Sequence, residues 1–132
     1  MSIAPPTAEV PAAQLAAFAS LPAFALESTL ERFMNDQELL CLAVTTCLQQ
    51  TPEMLDALQA AVTDQDSGRC ASRAHALKGA VGTCGGDRAA AAATQLERLA
   101  KGGDMAGAAA LMPVLYAAFE AYRGEAAARL AL

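Results

Sequence analysis

The sequence predicts an all-α protein, an antiparallel four-helix bundle with one or two short additional N-terminal helices. Three observations support this fold class. Hydrophobic residues make up 55% of the chain, and many of them are alanine, the residue with the highest helix propensity. Apolar residues recur at helical spacing, and no segment shows the alternating β-branched pattern of a strand. Short polar or glycine-containing turns separate the periodic segments, as in bundles of sequentially adjacent helices.

The domain organisation follows from chain length and proline content. A chain of 132 residues corresponds to one domain that is large enough to bury a substantial core. Three prolines lie among Ala, Ser and Thr in residues 1–20, so we expect a tail or linker there, with a possible short helix over residues 12–19. The bundle domain is predicted to span residues 21–132.

The first helices of the predicted bundle precede residue 64. A short helix over residues 26–33 is followed by a long one, which Asn35-Asp36 caps. The inner face of the long helix consists of apolar or small residues at Leu40, Val44, Cys47, Thr51, Leu55, Leu58 and Val62. Because this spacing keeps its phase through Pro52, we expect one continuous, kinked helix; a separate helix with Thr51 as its N-cap is the alternative.

The last three helices are delimited by capping residues and glycines. Asp66 or Ser67 is expected to cap the helix that carries the only histidine. Gly85-Gly86 ends that helix, because glycine can adopt the left-handed conformation that closes a helix. Asp87 is expected to cap the next helix, and Asp104 the last one. The inner face of the helix after Gly86 is predicted to consist of Ala89, Ala92, Ala93, Leu96 and Leu99. The inner face of the last helix is predicted to consist of Leu111, Leu115, Ala118, Tyr122, Ala126 and Leu130.

Charge and hydropathy exclude several classes of function. The net charge is −5 with a pI near 4.7, and no basic patch with interleaved aromatic residues occurs, so nucleic-acid binding is not expected. No uninterrupted apolar run suggests a membrane span, and the N-terminus lacks the features of a signal peptide. We therefore expect a cytoplasmic chain, or the cytoplasmic end of something larger, without direct membrane contact; a monomer is the default.

The cysteines do not indicate a metal site or a disulfide framework. Cys41, Cys47, Cys70 and Cys84 show no C-x-x-C spacing, and the chain has a single histidine. We expect them to be small buried apolar residues in a reducing compartment. No metal ligand is predicted.

One segment, residues 74–85, carries the candidate chemistry. On a helical wheel His75, Lys78, Gly79 and Gly82 share one face, and Ala74, Leu77, Val81 and Cys84 share the other. Each glycine inside a helix costs about 1 kcal/mol relative to alanine, so two beside the only histidine suggest a function. Side-chain-free positions let a large partner approach the imidazole, and Lys78 can neutralise an anion placed on it. Ala71 and Ser72 extend this low-relief surface.

These residues resemble a known pattern. The motif A-H-x-L-K-G at residues 74–79, followed by Gly85 and by Leu96-Glu97, is similar to the signature of histidine-containing phosphotransfer (HPt) domains. The resemblance runs from about Leu21 to Leu132. Ala25 and Thr46-Cys47 depart from residues common in that family.

The resemblance implies a phosphoryl carrier without autonomous kinase activity. His75 would accept a phosphoryl group on Nε2 from a receiver-domain aspartyl phosphate and pass it to another receiver, and Lys78 would stabilise the phosphohistidine. Gly79, Gly82, Ala71 and Ser72 would form the surface on which receivers dock. The implied partners are response-regulator receiver domains and a hybrid sensor histidine kinase. No cofactor is implied in the chain, because the receiver supplies Mg²⁺.

The remaining motif residues are given structural roles by the resemblance. Gly85 would end or pack the histidine helix, Leu96 would lie in the core, and Glu97 would lie at the surface or in a helix-to-helix contact. A non-catalytic helical adaptor that docks receiver or kinase domains is the alternative function. Hydrolases and metalloenzymes are excluded, because the sequence contains no H-E-x-x-H, G-x-S-x-G or second histidine.

Overall fold

The computed structural model describes residues 8–132 as six helices, with no strand among these residues. The helices are α1 (Ala12–Ala19), α2 (Leu26–Arg32), α3 (Gln37–Thr63), α4 (Ser67–Thr83), α5 (Asp87–Lys101) and α6 (Met105–Leu130). The all-helical prediction is therefore confirmed, including the short helix over residues 12–19. The predicted tail of residues 1–20 lies partly outside the described residues.

The four long helices pack around one core. α4 contacts both α5 and α3, and α6 contacts the same two helices, while α1 lies against α5 and α2 against α3. The largest fully buried side chains include Tyr122, Phe24, Phe119, Leu40, Leu55, Leu58, Leu77 and Leu96. The hydroxyl of Tyr122 donates to the carbonyl of Cys84 at 2.9 Å, and its ring packs edge-on against Phe24 at 5.7 Å. Tyr122 therefore joins α6 to the end of α4.

The long helix α3 continues through its proline, as its apolar phase predicts. Asp36 caps it by accepting a hydrogen bond from the amide of Leu39 at 3.0 Å. Pro52 has no amide proton to donate, but Thr51 is buried and its hydroxyl donates to the carbonyl of Cys47 at 2.6 Å. The alternative of a separate helix capped by Thr51 is wrong.

The connection between α4 and α5 is tighter than the sequence suggests. Gly85 has a φ of +86°, and a Cβ there would collide with the hydroxyl of Thr29. Gly86 donates its amide to the carbonyl of Val81 at 2.8 Å and is itself the N-cap of α5, without a side-chain cap. The expectation that Asp87 caps α5 is wrong, because the turn closes within two residues and Asp87 is already helical. Its carboxylate still lies in the first turn, where it suits the helix dipole.

The predicted inner face of α6 is buried along its whole length, and Asp104 caps the helix by accepting from the amide of Gly107 at 2.8 Å. On α5 the prediction differs at one position, since Leu99 is only half-buried while Glu97 and Ala100 are buried.

Helix α6 is also apolar enough, by length and composition, to pass as a membrane span; within residues 8–132 it alone does so. This differs from the expectation, based on apolar runs in the sequence, that no segment resembles a membrane span. Of its apolar window, 39% is buried inside the fold, where it packs against α5 and α3. Core helices pass the same test of length and composition.

Candidate functional site

Helix α4 presents the histidine to solvent. Asp66 caps the helix by accepting from the amide of Arg69 at 3.0 Å. Ala74, Leu77 and Val81 are at most 1% exposed and fix the rotation of the helix against the core. The side chain of His75, on the opposite face, is 67% exposed. The predicted division of α4 into a core face and a histidine face is therefore confirmed.

A buried carboxylate from α5 holds the imidazole. The Nδ1 atom of His75 lies 3.0 Å from Oε2 and 3.4 Å from Oε1 of Glu97. The Glu97 side chain is only 8% exposed. An ionised carboxylate can only accept hydrogen bonds, so Nδ1 must carry a proton to donate. In the neutral ring this places the lone pair on Nε2, which makes Nε2 the nucleophilic nitrogen.

Two lysines share the same carboxylate. The Nζ atom of Lys78 lies 3.1 Å from Oε1, and the Nζ atom of Lys101, one turn after Glu97 on α5, lies 3.2 Å from Oε2. Burial raises the pKa of Glu97, but the hydrogen bonds from Lys78 and Lys101 outweigh burial and hold that pKa below its ordinary value. Glu97 is therefore ionised at neutral pH, with each oxygen bound to an ammonium group.

A shallow hollow of about 430 Å³ opens beside the imidazole. It is lined by Gly68, Ala71, Ser72, His75, Glu97 and Lys101. Ser72 is exposed, as expected. Ala71 is only 8% exposed, so it offers little surface of its own although it borders the hollow, and its part in docking stays a prediction. Its position three residues before Ala74 places it mainly on the inner side of α4.

Gly79 and Gly82, the two glycines of α4 that follow His75, leave the surface next to it bare. Gly79 is exposed, and a Cβ built there would meet nothing within 4 Å. Gly82 is half-buried, and its Cβ would lie 3.5 Å from the methyl carbon of Ala90, an ordinary contact. Packing inside this chain therefore does not require glycine at position 79.

A family comparison shows what kind of domain carries these residues. The Hpt domain family matches residues 43–125, a segment that contains His75, Lys78, Glu97 and Lys101. The chain belongs to the Hpt domain family. Hpt domains are phosphocarriers of two-component signalling, without intrinsic catalytic activity, and they interact with receiver domains and histidine kinases. No curated protein and no solved structure matches the chain.

In this Hpt domain the sequence placed one residue of the site only loosely, Glu97, and gave no role to another, Lys101. Glu97 was expected at the surface or in a helix-to-helix contact; it makes the contact, but it is buried. A carboxylate on the mostly apolar inner face of α5 is the signal that could have found it, because buried carboxylates are normally paired. Lys101 follows Glu97 by four residues, which is the spacing of a helical ion pair, and no family motif marks it.

Proposed function

We propose that this Hpt domain accepts a phosphoryl group on Nε2 of His75 from the aspartyl phosphate of one receiver domain and passes it to another receiver. The observation that carries the proposal is the hydrogen bond between Nδ1 of His75 and the buried carboxylate of Glu97. It leaves Nε2 as the free nitrogen of an exposed ring. A helical adaptor that only docks its partners has no need of this arrangement.

The transfer places new charge next to Glu97. The Nε2 lone pair attacks phosphorus, the N–P bond forms, and the O–P bond breaks with its electron pair remaining on the receiver aspartate. Nδ1 keeps its proton, so the ring becomes cationic. The ionised carboxylate of Glu97, 3.0 Å from Nδ1, stabilises that charge. Loss of the phosphoryl group to a second receiver reverses each of these changes.

Lys78 and Lys101 are the cations available to the phosphoryl oxygens. Each contacts the same carboxylate as His75, so each ammonium lies within about two hydrogen-bond lengths of Nδ1. The side chains are 33% and 66% exposed, which leaves them free to reorient. We propose that both stabilise the phosphohistidine, and that the receiver brings Mg²⁺.

We propose that receivers dock on the exposed face of α4 around Gly79, with Ser72 and Gly82 at its edges. The empty space above Gly79 supports this assignment. We further propose that α3 to α6 form an antiparallel bundle; the connections between these helices, three residues each, support that arrangement. The partners in this proposal are response-regulator receivers and a hybrid sensor kinase.

The test is phosphotransfer from an isolated receiver domain. A receiver is phosphorylated with a labelled small-molecule phosphodonor in the presence of Mg²⁺ and then mixed with this chain. We expect acid-labile, base-stable label on the wild type and on Arg73→Gln, a control at an exposed α4 position. His75→Gln should take up no label. Label on His75→Gln would refute the assignment of His75, and no label on the wild type with several receivers would favour the adaptor.

A further inference from the structure

Two thiols lie between α3 and α4, away from the imidazole. Cys47 on α3 and Cys84 at the end of α4 are 5% and 7% exposed. The Sγ atom of Cys47 lies 3.8 Å from the carbonyl oxygen of Ala80, and that of Cys84 lies 3.6 Å from the carbonyl oxygen of Ala43. Each sulfur therefore faces a carbonyl on the opposite helix, and that carbonyl belongs to the residue four positions before the other cysteine. The two thiols meet in the same gap.

The surroundings give the two thiols different acidities. The adjacent Cys84 thiol lowers the pKa of Cys47, and burial opposes this shift. The same contact and burial raise the pKa of Cys84. The lowered pKa favours the thiolate of Cys47, the form in which cysteine attacks peroxides. Cys84 keeps its proton and lies beside it.

A hollow connects this pair to solvent. Its volume is about 370 Å³, and it is lined by Ala43, Thr46, Cys47, Gln50, Gly79, Ala80, Thr83 and Cys84. A small oxidant can therefore reach both sulfurs. Gly79 also belongs to the surface on which receivers are proposed to dock. A disulfide that moves α3 relative to α4 would therefore alter the shape of that surface.

We propose that Cys47 and Cys84 form a peroxide-reactive pair that closes into a disulfide between α3 and the end of α4 and thereby slows phosphotransfer. The effect on transfer rests on the function proposed above, whereas the disulfide does not. A disulfide needs its two Cα atoms within about 7 Å of each other, and each sulfur already faces the turn of the opposite helix that precedes the other cysteine.

The oxidation is balanced by one hydrogen peroxide. The Cys47 thiolate attacks one peroxide oxygen, the O–O bond breaks, and the products are a sulfenic acid on Cys47 and, after protonation, water. The sulfur of Cys84 then attacks that of Cys47, the S–O bond breaks, and the hydroxide leaves as water with the Cys84 proton. Two thiols are oxidised to one disulfide while peroxide is reduced to two waters. An added dithiol reverses the reaction by thiol–disulfide exchange.

The disulfide is tested by mass spectrometry on the full chain. Trypsin releases Cys47 in residues 33–69, together with Cys41, and Cys84 in residues 79–88. The experiment therefore uses the Cys41→Ser chain, treated with hydrogen peroxide, alkylated and digested without reductant. We expect these two peptides joined, with a loss of two hydrogens that a dithiol reverses.

Cys47→Ala and Cys84→Ala should abolish the linked peptide, and Cys70→Ala, a third buried cysteine, should keep it. Circular dichroism reports whether each variant is folded, and the digest of the Cys41→Ser chain itself answers the question if one is not. A stable sulfenic acid without a linked peptide, or no oxidation at Cys47, would overturn the pairing.

The functional arm compares oxidised and reduced chains in receiver-dependent transfer. We expect oxidation to slow transfer by about tenfold, dithiol treatment to restore it, and Cys47→Ala to be insensitive to peroxide. A linked peptide with an unchanged transfer rate would overturn the effect on docking. A reduced chain that takes up no phosphate would instead refute the proposed function, while the linked peptide would still support the thiol pair.

Discussion

Glu97 gives the sharpest test of the site, because one buried carboxylate orients the imidazole and, in the proposed transfer, compensates the charge created on it. The change to alanine removes both effects. The change to glutamine keeps an oxygen of similar position and removes only the charge. Comparing the two variants therefore separates orientation from electrostatic stabilisation.

The expected magnitude follows from the contact. A hydrogen bond to a charged group contributes about 1.5–3 kcal/mol when its partner becomes charged as well, which corresponds to a rate loss on the order of 10- to 100-fold for Glu97→Ala. His75 is mostly exposed, and screening by water favours the lower end of that range. For Glu97→Gln we expect a loss of about threefold to tenfold, since Nδ1 still has an acceptor.

The assay is the rate of transfer from a phosphorylated receiver under single-turnover conditions, with ¹⁵N NMR of the His75 ring as a second readout. A role in orientation predicts that Glu97→Ala shifts the neutral ring toward the tautomer with the proton on Nε2, whereas a purely structural role leaves the tautomer unchanged. Glu125→Ala, at an exposed position on α6, is the matched carboxylate control. A Glu97→Ala chain with wild-type rate and tautomer would refute the reasoning.

Four further outcomes are expected. The pKa of Glu97 is lower in the folded chain than in the unfolded one. The stability that its ionised form contributes is therefore present above the unfolded pKa and is lost as the pH falls through the folded pKa. In urea unfolding, the wild type should lose its advantage in stability over Glu97→Gln in that acid range. Lys101→Ala should slow transfer by about threefold to tenfold, whereas Arg98→Ala, at an exposed position on the same helix, should not; equal rates would remove Lys101 from the site. Gly79→Gln should slow transfer by about tenfold with unchanged helicity, and Gly79→Ala should raise the free energy of unfolding by about 0.5–1 kcal/mol; loss of helicity in either would show that the glycine serves packing. Gly85→Ala should lower the free energy of unfolding by about 2–4 kcal/mol, because its positive φ and the adjacent side chains exclude a methyl group; a thermal midpoint equal to that of the wild type would contradict this.

The positions of the helices and the exposed face of α4 could be predicted, because both depend on residues that lie close together in the sequence. The apolar spacing of Ala74, Leu77 and Val81 is sufficient to place His75 on the exposed side. Asp66, as an N-cap, likewise acts within one turn of its own position. Patterns of this kind are complete within a single segment, so no knowledge of the neighbouring helices is needed.

The arrangement around Glu97 could not be predicted in the same way, because it depends on how two helices meet. Its carboxylate lies 22 residues from His75 along the chain, and the contact exists only when α4 and α5 pack at this register. The burial of Ala71, by contrast, follows from its spacing to Ala74 on α4, and the role of Gly86 as N-cap follows from the tight turn after α4. On α5 alone, Glu97 is simply a polar residue near an apolar face.

The sharing of one carboxylate among three nitrogen atoms has a consequence for the direction of signalling. With the ring neutral, two ammonium groups and one carboxylate leave a surplus of one positive charge at the free site. A phosphoryl dianion on a cationic ring changes that surplus to approximately zero. Neither occupancy leaves a large uncompensated charge. In the proposed relay we therefore expect neither state to be strongly trapped, and the relative abundance of phosphorylated and unphosphorylated receivers to set the direction of transfer.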